Sequence, residues 1–72
     1  MNFDKKLEFI LEVIEAEDNS NITIDTSLED CPEWDSIGAL SVMSEVDDEF
    51  GVIISADQME SCKTFADIIK LF

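Results

Sequence analysis

The sequence contains no histidine and only two cysteines among its 72 residues. Without histidine, Cys31 and Cys62 alone do not supply the ligand set of a zinc site, and we predict no metal. No signal peptide precedes the two cysteines, so we expect reduced thiols in a cytoplasmic protein. The longest apolar run near the N-terminus, Phe9-Ile10-Leu11, is far too short to span a membrane.

Basic residues are also scarce, because four lysines and arginines stand against 18 acidic residues and the net charge is −14. Binding to nucleic acid needs cations that neutralise phosphates, and an anionic membrane surface needs them as well, so we exclude both partners. The charge favours proteins with basic surfaces, and their association with this chain should be fast and salt-sensitive. A hydrophobic fraction of 46% distinguishes the chain from disordered acidic tails. We therefore predict one folded, monomeric domain over residues 1–72.

Apolar residues recur at helical spacing in two long segments. The first predicted helix runs from Asn2 or Phe3 to Glu15 or Ala16, and polar residues from Glu17 to Ser20 follow it. Its predicted apolar face contains Phe3, Leu7, Ile10, Leu11 and Ile14. The second predicted helix runs from Ser36 to Phe50, where Gly51 supplies a left-handed stop. Its predicted buried stripe contains Ala39, Val42, Met43, Val46 and Phe50.

Two capping boxes predict two further helices near the C-terminus. The box at Ser55 and Gln58 begins a short helix that ends at Ser61, and the box at Thr64 and Asp67 begins a last helix. That last helix is predicted to bury Phe65, Ile68, Ile69 and Phe72. Val52-Ile53-Ile54 is interpreted as an extended link pinned to the core.

A long connection separates the first two helices, and Pro32 prevents helix near its end. We expect it to be ordered, with Ile22, Ile24 and Leu28 anchored in the core and a single capped turn over Ser27-Leu28-Glu29-Asp30. The sequence therefore predicts an all-α fold: a small bundle of three main helices and one short helix, with a long first loop.

The stretch Asp35-Ser36-Ile37 places a hydroxyl in the first turn of the second helix. Four unpaired N–H groups and the positive end of the helix dipole lie there, and they would stabilise a phosphate ester by about 0.3–1 kcal/mol. Asp-Ser before a helix is also a common N-cap. Neither residue has the reciprocal Glu or Gln three positions on. The two interpretations are compatible, with Asp35 as the cap and Ser36 as the hydroxyl that carries chemistry.

Three features together give a resemblance to a known family: Asp35-Ser36-Ile37, the acidic end of the second helix (Glu45 and Asp47-Asp48-Glu49-Phe50-Gly51), and the closing Thr64-Phe65-Ala66-Asp67-Ile68-Ile69. With its size, acidity and long first loop, the chain resembles the acyl carrier proteins over its whole length. The resemblance implies that a phosphopantetheinyl transferase attaches 4′-phosphopantetheine from coenzyme A to Ser36. The thiol of this arm would carry acyl or aminoacyl groups as thioesters, and partner enzymes would supply all the catalysis, so we predict no catalytic residue here.

Partner recognition is predicted at Asp35, Ile37, Leu40, Glu45, Asp47 and Asp48. Gly38, Ser41, Glu45 and Asp48 are expected to form one outward stripe, whose first half is uncharged. Members that serve fatty-acid synthesis often carry acids there, whereas glycine at this place resembles D-alanyl and other aminoacyl carriers. The cargo thus belongs to fatty-acid or specialised biosynthesis, with an aminoacyl carrier as an alternative.

Two other functions compete with the carrier. An EF-hand fails because setting Gly51 at position six places Val46 where the first aspartate must stand. An unmodified acidic interaction module explains the charge but leaves Ser36 and its apolar neighbours unexplained.

Overall fold

The structure, a computed structural model, describes residues 2–16 and 21–72. Its elements in chain order are α1 (Phe3–Val13), a 3₁₀ turn (Leu28–Asp30), α2 (Ser36–Phe50), α3 (Ala56–Ser61) and α4 (Phe65–Ile69). Helix α1 packs against both α2 and α4. The described residues contain no β-strand, so the predicted all-α bundle is confirmed. None of the described helices is both long and apolar enough to cross a membrane.

Helix α2 has the predicted bounds, because both of its ends are specified locally. The Asp35 carboxylate accepts a hydrogen bond from the Gly38 N–H at 2.7 Å. At the other end Gly51 adopts φ 69° and donates to the Asp47 carbonyl. Val42 and Val46 are fully buried, as predicted. Phe50 is only half-buried, however, because it lies in the last turn and packs on other rings instead of entering the core.

Helix α1 begins as predicted but ends earlier, at Val13. The chain leaves the helix at Glu15, which adopts φ 56°, and the N–H groups of Glu15 and Ala16 donate to the carbonyls of Glu12 and Leu11. This is the Schellman arrangement with glutamate at the position that glycine usually occupies. The predicted apolar face is buried except for Phe3, which is 41% exposed because it begins the helix beyond the edge of the core. The predicted polar end at residues 17–20 lies outside the described residues.

Helix α4 is shorter than expected, with only five residues. Phe65, Ile68 and Ile69 are fully buried as predicted, but Phe72 lies beyond the helix and is half-buried. The fold class is confirmed, although the bundle has two long and two short helices among the described residues.

The first loop is anchored against the start of α4, so the prediction of an ordered connection is confirmed for its described part. Ala66 and Phe65 donate backbone hydrogen bonds to the Ile24 and Thr26 carbonyls, and Leu28 donates to Lys63. We call these three bonds the loop clasp. Leu28 is buried, whereas Ile22 and Ile24 are half-buried. The predicted turn forms, but its predicted cap does not, because the Ser27 side chain makes no capping hydrogen bond.

The link between α2 and α3 is extended, and it is pinned by Ile54, which is buried. Ile53 points the other way and is 82% exposed. Cys31 and Cys62 are free thiols, as predicted; Cys31 is buried and Cys62 half-buried. Burial raises the pKa of both thiols above the ordinary value, which keeps them protonated.

Candidate functional site

Ser36 is the first residue of α2, and its side chain is exposed. Asp35 performs the capping, since its carboxylate accepts from Gly38 N–H and its carbonyl accepts from Ala39 N–H at 2.9 Å. The Ser36 hydroxyl is therefore not needed as a cap. By the geometry of any α-helix, the N–H groups of Ser36 and Ile37 have no earlier helical carbonyl to bond. The first turn of α2 thus presents a hydroxyl beside N–H donors and the positive end of the dipole, which suits a phosphate ester.

Gly38 is buried, which contradicts the predicted outward stripe. A Cβ atom at this position would lie 3.1 Å from the Glu33 carbonyl oxygen and 3.2 Å from the Ile14 Cγ2 atom. Each helical residue turns the direction of the side chain by about 100°, so Gly38 faces the end of α1 whereas Ile37 faces solvent. The glycine allows the first turn of α2 to rest directly on the end of α1 and on the loop before it.

The exposed face of α2 begins with apolar residues and ends with acids. Ile37 and Leu40 are 75% and 64% exposed, and Asp47 and Asp48 are exposed further along the same side of the helix. We call these four residues the α2 ridge. Its first half is apolar and uncharged, but it is formed by Ile37 and Leu40 and not by Gly38 and Ser41, which were expected there.

Glu45 does not belong to the α2 ridge, although the sequence grouped it with Asp47 and Asp48. It lines a groove of 490 Å³ between α1 and α2, which we call the α1–α2 groove. The lining consists of Phe9, Glu12, Val13, Ser41, Ser44 and Glu45. Ser41, expected on the outward stripe, is half-buried there. Of the predicted recognition residues, four therefore form the α2 ridge, Glu45 lines the α1–α2 groove, and Asp35 precedes the helix as its cap.

A cleft of 290 Å³ lies directly beside Ser36, between the start of α2 and α3. It is lined by Trp34, Asp35, Ser36, Ala39, Met59 and Glu60. Trp34 is half-buried, and its ring packs edge-on against buried Phe65 at 6.0 Å between ring centroids. A group attached to the Ser36 oxygen would find apolar surface at its point of attachment, so these residues fit a pantetheine arm.

Sequence reasoning did not identify Met59 and Glu60 as neighbours of Ser36. They lie more than twenty positions after Ser36 in the sequence, on α3, which packs beside the start of α2 in the folded protein. No local signal in the sequence marks that return.

Comparisons with known proteins identify the family of this chain. The family model for the phosphopantetheine attachment site matches residues 6–72. The chain therefore belongs to the acyl carrier protein family. An acyl carrier protein from Exiguobacterium sibiricum is 30% identical in an alignment 71 positions long, gaps included, which covers 90% of each chain. No solved structure matches this chain significantly.

Membership of this family defines the cofactor and the class of function. The cofactor is 4′-phosphopantetheine, which this domain holds covalently on a serine. When attached, its terminal thiol supplies the thioester linkage to the cargo. The protein is a carrier.

Proposed function

We propose that Ser36 is the serine that carries the 4′-phosphopantetheine arm. Other described serines are less suited to this role. The Ser55 hydroxyl accepts from Gln58 N–H in a capping box, and the Ser61 hydroxyl donates to the Asp57 carbonyl. Ser44 is exposed but lies in the middle of α2, away from free N–H groups. Ser36 combines exposure, a helix N-terminus and an adjacent apolar cleft, and this combination supports the proposal.

The function that follows is that of a cytoplasmic, monomeric, single-domain carrier that is not itself an enzyme. A phosphopantetheinyl transferase would load the arm from coenzyme A, and the arm would hold acyl or aminoacyl groups as thioesters for delivery to partner enzymes. The described part of the site offers exposure and apolar contact beside Ser36, with catalysis left to the partners.

We propose that the carrier serves a specialised biosynthetic pathway and not ordinary fatty-acid synthesis. The acidic side chain that carriers of fatty-acid synthesis often show at the position of Gly38 would place its Cβ atom in tight contact with the Glu33 carbonyl and with Ile14, so these neighbours would have to move by a few tenths of an ångström. The exposed start of α2 instead carries Ile37 and Leu40. An aminoacyl carrier of the D-alanyl type is the second candidate, since Gly38 is the feature that resembles those carriers.

Partner enzymes are proposed to bind the α2 ridge. Its two apolar side chains lie within one turn of Ser36, and Asp47 and Asp48 lie at the far end, where basic residues of a partner could pair with them. Charge at such exposed positions acts mainly on the association rate, and apolar contact acts mainly on the lifetime of the complex.

Intact-mass measurement after co-expression with a broad-specificity phosphopantetheinyl transferase tests the proposal. Wild type and Ser44→Ala, an exposed serine of the same helix, should gain the mass of one phosphopantetheine. Ser36→Ala should gain none, and its melting temperature should match wild type because Asp35 still caps α2. A mass gain that survives in Ser36→Ala would overturn the assignment. A wild type that is never modified would instead favour the unmodified interaction module.

A further inference from the structure

Trp34 lies between the cleft beside Ser36 and the core of the bundle. The residue is half-buried and lines the cleft, and its ring packs edge-on against Phe65, which has no exposed surface. Its backbone is also fixed, because the Trp34 N–H donates to the carbonyl of buried Cys31 at 3.0 Å. Attachment of an arm to the Ser36 hydroxyl does not require an indole ring at this place, so Trp34 needs a separate explanation.

The opposite side of the first turn of α2 is closed by the end of α1. Gly38 lies so close to it that even a Cβ atom would be 3.2 Å from the Ile14 Cγ2 atom. A chain attached at Ser36 therefore meets Gly38 and Ile14 on the side of α1, and it meets Trp34 on the side of α3. Both approaches to the core are closed by side chains or backbone that already contact each other.

The core behind Trp34 is filled by its own side chains. Phe65, Val42 and Ile68 have no exposed surface, so not even a water-sized space touches them. An alkyl chain needs more room than water, because carbon atoms in contact are about 3.5–4.0 Å apart. A close-packed core accepts additional methylene groups only when its own side chains are displaced, and that displacement is destabilising.

The cleft beside Ser36 is too small to hold a long cargo in addition to the arm. Its volume is 290 Å³, whereas clefts that bury drug-sized ligands have about 300–1,000 Å³. The pantetheine arm is itself a ligand of that size, so a cargo at its end extends into water. Each methylene group of an alkyl cargo then adds unfavourable apolar surface, and a short or polar cargo adds little.

We propose that Trp34 is a specificity-determining residue that keeps the cargo outside the core and thereby selects short or polar acyl groups. Aminoacyl groups belong to this class, and long alkyl chains do not. This role of Trp34 rests on the proposed attachment of the arm to Ser36.

Loading with acyl groups of two lengths tests whether the core stays closed. A broad-specificity phosphopantetheinyl transferase, with acetyl- or octanoyl-coenzyme A as donor, gives an acetyl product and an octanoyl product of ¹⁵N-labelled wild type. We expect their melting temperatures to agree within about 1 °C and their amide shifts at Val42, Phe65 and Ile68 to coincide. An octanoyl product that melts several degrees higher, with shifted core amides, would overturn the proposal.

Trp34→Leu tests whether Trp34 is the residue that closes the core. The smaller side chain leaves space beside Phe65, so the octanoyl product should melt about 4 °C or more above the acetyl product of the same variant. Comparing two products of one variant removes the stability that the substitution itself costs. Trp34→Phe, which keeps a ring against Phe65, should show the same difference at smaller size and serves if Trp34→Leu does not fold.

Phe9→Leu is the matched control for a general loosening of the protein. It shortens another half-buried ring, which packs on Phe50 at the far end of α2. Its acetyl and octanoyl products should melt alike. A chain-length effect of equal size in the Phe9 and Trp34 variants, or none in the Trp34 variants, would overturn the role of Trp34.

Intact mass distinguishes a failure of this proposal from a failure of the proposed attachment. A wild type that gains no acyl arm, or Ser36→Ala that gains one, would overturn the attachment and the role of Trp34 with it. A wild type that is loaded only at Ser36 but buries the octanoyl chain would overturn the role of Trp34 alone.

Discussion

The start of α2 differs from the starts of α3 and α4 in how its backbone N–H groups are satisfied. Both short helices begin with complete capping boxes: Ser55 with Gln58, and Thr64 with Asp67, exchange reciprocal hydrogen bonds. Helix α2 has only half of such a box. Asp35 accepts from Gly38 N–H, but Gly38 has no side chain with which to return the bond.

The starts of the short helices stabilise the fold, whereas the start of α2 is left available for function. A five- or six-residue helix is marginal by itself, so its first turn is used for its own support. Helix α2 has fifteen residues and a buried face, and it does not depend on a full box. Its first turn therefore retains an exposed hydroxyl beside free N–H groups, which is the arrangement proposed to carry the arm.

The largest effect is expected when Gly38 is replaced by aspartate. This is the residue type that completes the capping box at the start of α4, where it is Asp67. Gly38→Asp adds a side chain whose Cβ meets Glu33, Ile14 and the Asp35 carboxylate within 3.4 Å. We expect it to lower the free energy of unfolding by about 1–3 kcal/mol, measured by chemical denaturation. Ser44→Asp, which adds the same charge at an exposed position, should change it by less than about 0.5 kcal/mol. A Gly38→Asp protein as stable as wild type would show that the close approach is not needed.

A smaller effect, on docking alone, is expected for the apolar residue next to Ser36. Ile37→Ala should weaken binding to the phosphopantetheinyl transferase by about 1–2 kcal/mol, measured as an increase in KM for the carrier with kcat little changed. Its stability should stay within about 0.5 kcal/mol of wild type, because Ile37 is 75% exposed. Ile53→Ala, an equally exposed isoleucine outside α2, is the control and should leave KM unchanged. Equal effects of the two changes would contradict a role of the α2 ridge.

Removal of the N-cap side chain should have different functional consequences at the start of α2 and at the start of α4. Asp35→Ala and Thr64→Ala should each cost about 1 kcal/mol of unfolding free energy, since each leaves one N–H without its side-chain acceptor. Only Asp35→Ala should also slow attachment of the arm, because it disturbs the turn that presents Ser36. The rate of mass gain for each variant checks this, and equal rates would remove the functional distinction.

The smallest effect is expected for the contribution of the α4 capping box to stability, which should depend on pH. Hydrogen bonds from the backbone N–H groups of Lys63 and Thr64 hold the pKa of Asp67 below its ordinary value of 3.8. The folded state therefore favours the carboxylate. The resulting stabilisation is fully present above the ordinary pKa and is lost as the pH falls through the lower pKa of the folded protein.

Thermal melts of wild type and Asp67→Asn measure that contribution. The difference in melting temperature should be constant above about pH 5 and should shrink below the ordinary pKa of aspartate. A difference for Asp67→Asn that persists unchanged into acid would mean that the bonds to the carboxylate are not what stabilises α4.

The features that sequence predicted well are those specified within a few residues. The bounds of α2 follow from an aspartate cap and a glycine stop, and both capping boxes form as their spacing indicates. The end of α1 was missed because Glu15 adopts a left-handed conformation without the glycine that usually signals it. The position of Ser36 at a helix start was predictable for the same local reason.

The surroundings of Ser36 were not predictable from local pattern. Gly38 was expected to face outward because the helical period alone does not show where the end of α1 lies. The other wall of the cleft, with Met59 and Glu60, depends on the return of α3 to the start of α2. Contacts between residues distant in sequence determine both the burial of Gly38 and the second wall of the cleft. The spacing of residue types along a single sequence does not reveal such contacts.

The loop clasp has a consequence for the order of folding. Its three hydrogen bonds join residues 24–28 to residues 63–66, so the whole of α2 and α3 lies within the segment that they close. Helix α4 has five residues and is too short to persist before this closure. The first connection and the last helix should therefore become ordered in one cooperative step, after the loop-closure entropy of about forty residues has been overcome. Native-state hydrogen exchange would record that step as a common opening free energy for the Leu28 and Ala66 amides, although 38 positions of sequence separate them.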